Sequence, residues 1–125
     1  MREGKARPRT VVTPPAVSAA AVAQYGPAWT LYDTATRVAL VRQLVAELTA
    51  AFRADAGDIR AAVRSGAPYA PTDSAVLAAV RTASSIRQAW PSFDEGLRSR
   101  MIADFRSEIA AAAAAQFNLP AEGTP

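Results

Sequence analysis

The sequence contains no histidine and no cysteine. Histidine is the side chain that ordinarily shuttles protons near neutral pH, and cysteine supplies thiol nucleophiles and soft-metal ligands. Their absence removes zinc sites, thiol catalysis and any Ser-His or Cys-His nucleophilic arrangement. It also removes disulfides as a source of stability, without assigning a redox compartment. Lysine occurs once, at Lys5, and arginine supplies the remaining positive charge. No run is long and apolar enough to cross a bilayer. There is no phosphate loop, no dinucleotide fingerprint and no nucleophile-elbow or Ser-x-x-Lys pattern. No cofactor is implied.

What remains is alanine-rich, amphipathic and helical in pattern from Asp33 to Asn118. A chain of 125 residues is one domain at most. Bulky apolar residues are few, and each alanine buries little area. A domain of this size also leaves roughly a third or more of its unfolded surface exposed. Oligomerisation or docking on a partner would supply missing burial.

The formal charge of +3 is local. Arg2, Lys5, Arg7 and Arg9 face one acid, Glu3, within the first ten residues, and the rest of the chain carries ten arginines and ten carboxylates. The basic character therefore belongs to an arm. Such an arm suits nucleic acid, an acidic protein surface or anionic lipid, or is simply solvated.

The chain divides into three parts: a basic, proline-punctuated N-terminal arm over 1–28, a helical domain over 29–118, and a tail over 119–125. In the arm, Val11 and Val12 precede Thr13 and Pro14, so an extended path is expected. Ser18 to Gln24 have room for one or two helical turns, too short to persist alone. Arginines followed by Val11 to Ala23 imitate a targeting peptide, but Pro14 and Pro15 interrupt the apolar part. Trp29, Leu31 and Tyr32 are expected to anchor the incoming chain on the core, or to meet a partner.

The first main helix is expected from Asp33 or Thr34 to about Ala56. Val38, Val41, Val45, Leu48 and Phe52 form its apolar stripe, widened by Leu40 and Leu44. Arg42, Glu47 and Arg53 are expected nearer solvent. Gly57 breaks or kinks the helix, and Asp58 caps a short successor ended by Gly66. The next helix begins at Thr72 or Asp73 and ends near Trp90, before Pro91. The last opens on a Ser92–Glu95 capping box, buries Leu97, Met101, Ile102, Phe105 and Ile109, and stops at Asn118 and Pro120. The fold expected is an all-α small bundle of three main helices and one short helix, with an extended N-terminal arm.

Three constellations invite chemistry. Asp104 and Glu108 share a helical face, but two carboxylates are too few for a cation without further ligands, and Arg100 favours a solvated ionic surface. Arg87 is expected to fold over the core and pair with Asp94 or Glu95. Arg53, Arg60 and Arg64 would align into an anion stripe if the first helix ran unbroken, though no aromatic residue interleaves to stack on a base.

The alanine run from Ala110 to Ala115 lets another helix approach closely, with Ala110, Ala113 and Phe117 as its contact seam. These features point to a non-enzymatic subunit of a larger homo- or hetero-oligomeric assembly, such as a phage virion connector or neck component. The arm residues Arg2, Lys5, Arg7, Arg9, Val11 and Val12, together with Trp29, would meet the partner. Ordering the 28-residue arm costs on the order of 30–50 kcal/mol of backbone entropy, which contacts must offset. A nucleic-acid or packaging accessory acting through residues 1–10 is the alternative, and a carboxylate enzyme a third. Compartment and partner identity are left open.

Overall fold

The computed structural model describes residues 11–83 and 88–120. These residues form an all-α structure, with no strand among them. The helices are α1 (Pro14–Tyr25), α2 (Thr34–Ala54), α3 (Ala56–Ser65), α4 (Asp73–Thr82) and α5 (Glu95–Phe117). Short 3-10 turns cover Gly26–Leu31 and Trp90–Ser92. None of the described helices is long and apolar enough to cross a membrane.

Thr13 is extended ahead of Pro14, and the helical turns expected over Ser18 to Gln24 belong to a longer helix that reaches back to Pro14. Pro14 and Pro15 open α1 instead of breaking it. Proline suits the first helical turn because the N–H it lacks would have no partner there. The helix persists because its alanine face is buried: Ala16, Val17, Ala20 and Ala21 pack into the core, chiefly against α5. A twelve-residue helix that is marginal in water is held by tertiary packing. The entropy of ordering this segment is therefore offset within the chain itself.

The molecule is built from two helix pairs. α1 lies on α5 and α2 lies on α4, while α2 and α5 meet over a short stretch. The core at their junction holds Leu44, Leu48, Phe52, Val76, Val80, Phe105 and Ile109. Ten of the twenty buried apolar residues among those described are alanine, so close helix approach substitutes for bulk. Phe117 meets Phe52 edge-on at 5.5 Å between ring centroids and ties the end of α5 to α2.

The buried arc of α2 is Leu44, Glu47, Leu48, Ala51 and Phe52. Val38, expected in the stripe, is exposed, and Val41 and Val45 are half-buried. Asp33 caps the start of α2, accepting the Thr36 N–H at 2.7 Å. The break after α2 falls at Asp55, two residues before Gly57. Asp58 does not cap α3, which begins at Ala56. The Asp55 carboxylate, 3% exposed, is turned inward to the following connector. There it accepts from the Tyr69 hydroxyl and from the Thr72 N–H and hydroxyl. One buried acid thereby fixes the corner between α2 and α4. Gly66 ends α3 with φ +66°, a left-handed conformation that glycine adopts without steric penalty.

α4 starts at Asp73, as expected, under a Thr72 cap, but stops at Thr82 instead of near Trp90, and Ala83 is extended. Thr82, a β-branched residue, turns its hydroxyl onto the Ala78 carbonyl at this end. Pro91 lies inside a 3-10 turn instead of ending a long helix. The residue capping α5 is Asp94, which accepts the Leu97 N–H at 2.7 Å. Ser92, expected in that role, bonds the Ala89 carbonyl within its own turn. α5 ends as expected at Asn118, in the left-handed region, with the Leu119 N–H reaching back to the Ala114 carbonyl. Of its expected apolar face, Phe105 and Ile109 are buried, while Leu97, Met101 and Ile102 are half-buried.

Candidate functional site

Two glutamates lie at the junction of the helix pairs. Glu47 on α2 and Glu108 on α5 are each 1% exposed. Both were expected at the surface. Helical phase places them inside: Glu47 falls between Leu44 and Ala51 on the buried arc, and Glu108 lies between Phe105 and Ala112. The two carboxyls are close enough for each to shift the protonation of the other. Gln43, one turn before Glu47, donates its amide to Glu47 Oε2 at 2.9 Å. Glu47 Oε1 and Glu108 Oε2 have no hydrogen-bond partner.

Burial dominates the electrostatics of the pair. It disfavours both charged forms, and the negative charge of Glu47 adds to the effect on Glu108, which is pushed up to about 9. Glu47 is also raised by burial, an effect opposed by hydrogen bonds from Gln43 and Glu108. Tyr25, at the end of α1, is pushed up to about 12 by burial and then by the nearby carboxyls. Beside Glu108 a small cleft of about 60 Å³ is lined by Gln24, Met101, Asp104 and Phe105.

Asp104 and Glu108 do not act as one surface pair, because Asp104 is exposed and Glu108 is buried. Among the described residues, no group of three or more acidic side chains is placed to hold a metal ion. The single ion pair among them is Arg106 to Asp73, at 2.6 Å and largely in solvent. Arg106 also donates to the Pro71 carbonyl, bracing α5 against the start of α4.

A second feature is an open groove of about 530 Å³ along the outer side of α5. Ser99, Ala103, Ser107 and Ala111 line it at four-residue intervals, with Tyr69, Ile102, Leu119 and Pro120 at its flanks. Ala110 also lines this groove, whereas Ala113 is fully buried and Phe117 faces Phe52. The alanine run thus has two sides, one packed in the core and one lining the groove.

Val11 is exposed, and Val12 packs against the core. Trp29 is half-buried and stacked on Tyr25 at 5.7 Å, with Tyr32 edge-on to both. Leu31, expected to anchor with them, is 82% exposed. Arg53, Arg60 and Arg64 are exposed, and the break at Asp55 divides the helix that would have aligned them. Arg2, Lys5, Arg7, Arg9 and Arg87 lie outside the described residues.

No protein-family model matches the chain, and no curated protein or solved structure shows significant similarity to it.

Proposed function

We propose that this chain is a non-enzymatic structural subunit that docks in a larger protein assembly, of the kind that virion connectors or neck components form. The observation that carries this reading is the outward face of α5. Ser99, Ala103, Ser107 and Ala111 form a shallow track of small side chains beside an open groove. A helix of a neighbouring subunit can approach such a track closely, and dispersion across it stabilises the contact. An alanine-dominated core gives the isolated domain little reserve, so burial at an interface adds a substantial share of its stability. Residues 1–10, with their four basic side chains, would extend the contact toward an acidic neighbour.

Native mass measurement on the full chain tests the proposal. Particles heavier than the 13.1 kDa polypeptide are expected. Ala103→Trp with Ser107→Trp should return them to single copies with helix content intact. Single copies at every concentration, with melting unchanged on removal of residues 1–10, count against it. Binding to duplex DNA with a salt slope near −3.6, abolished by that removal, would favour the nucleic-acid alternative instead.

A further inference from the structure

The two orphaned oxygens at the junction have a common solution. With both glutamates ionised, two buried negative charges face each other and neither Glu47 Oε1 nor Glu108 Oε2 has a donor. A single proton on one carboxyl turns it into a donor to the other, satisfying both atoms in one charge-assisted hydrogen bond. We propose that Glu47 and Glu108 share one proton and form a pH-sensitive latch that fastens the α1–α5 pair to the α2–α4 pair.

Several placements support a latch at this point. α2 and α5 meet over a short stretch, so one hydrogen bond there adds to the Phe52–Phe117 contact in holding the two helices together. Gln43 holds the other oxygen of Glu47 and fixes its carboxyl plane. The ionisable groups acting on the pair are Tyr25 from the end of α1 and Asp104 from α5 itself. Both are acids, so neither compensates a second negative charge. Among the described residues, no ionisable group of α3 or α4 is a cause of the shift at either carboxyl. The cleft beside Glu108 has room for one or two water molecules and gives the proton a route to solvent. Loss of the proton leaves two adjacent buried anions, which repel and draw water in. The contact between α2 and α5 is then weakened at this joint.

The test is carbon NMR of the full chain with labelled glutamate side-chain carboxyls, combined with denaturant unfolding from pH 5 to 10. One carboxyl is expected to stay protonated through neutral pH and titrate in the alkaline range. The unfolding constant should rise up to about tenfold per pH unit through the neutral range, as one proton is released on unfolding. Glu108→Gln keeps a neutral donor and should lose both the late titration and the slope. Should that variant fail to fold, the wild-type NMR titration decides alone. Two carboxyls titrating in the ordinary range would overturn the latch. So would an alkaline step that moves downward on adding Mg²⁺ or Mn²⁺, which would make the pair a metal site.

Discussion

Gln116, near the end of α5, holds the backbone that enters α1 at Thr13. Its Oε1 accepts the Thr13 N–H at 3.0 Å, and its Nε2 donates to the Val11 carbonyl at 2.7 Å. One amide side chain thereby satisfies two backbone groups of a segment just ahead of its helix. Gln116→Ala should cost about 1–2 kcal/mol and free residues 11–13 first. Amide hydrogen exchange at Thr13, set beside the melting temperature, checks this. Unchanged protection at Thr13 would contradict it.

Asp55 offers a larger effect. Removing its carboxylate strands the Tyr69 hydroxyl and two donors of Thr72 at a buried corner. Asp55→Ala is expected to destabilise by roughly 3 kcal/mol, and Tyr69→Phe by roughly 1 kcal/mol, in urea denaturation. The ordering of the two variants is the decisive outcome. A Tyr69→Phe loss equal to that of Asp55→Ala would mean the acid is not the hub.

The alanine contact between α1 and α5 should resist enlargement. Ala20 and Ala112 are fully buried, with no room for a longer side chain. Ala112→Leu should cost about 1–3 kcal/mol by overpacking. Phe52→Ala, which opens a cavity beside Phe117, should cost about 3–5 kcal/mol. Circular-dichroism melts read both.

Stability should depend on pH with two opposed limbs. Asp33 is lowered by its hydrogen bonds with Thr36, so its contribution is present above the unfolded value and lost as pH falls through the folded one. Glu108 is raised from 4.5 to about 9, so its contribution is complete below the lower value and lost as pH rises toward the upper. By neutral pH that loss is on the order of 3 kcal/mol. The melting temperature should therefore peak in the mildly acidic range. Asp33→Ala should blunt the acid limb, and Glu108→Gln the other. A melting temperature that peaks above pH 8 would contradict this assignment.

Much of the scaffold was legible in the chain. The Asp33 and Thr72 caps, Gly66 and Asn118 are local signals, and local backbone chemistry honoured them. Ser92 does not cap α5 because its hydroxyl donates to the Ala89 carbonyl, and Asp94 accepts the Leu97 N–H of the first turn. Gly57 misled because the break is set by Asp55, whose partners lie 14 and 17 residues away. The glutamate pair was legible only in phase. Its positions fall on the buried arcs of α2 and α5, but a carboxylate normally marks the solvent side.

The sequence by itself determined the helical class, the starts of α2 and α4, the ends of α3 and α5, and the exclusion of thiol and histidine chemistry. Those properties follow from propensity, capping and composition, which act within a few residues. Tertiary structure alone decided that the proline-led N-terminal segment belongs to the core and that two acids meet inside it. Both depend on contacts between distant parts of the chain. Burial changes what a proline pair or a carboxyl costs only once another helix has excluded the water around it.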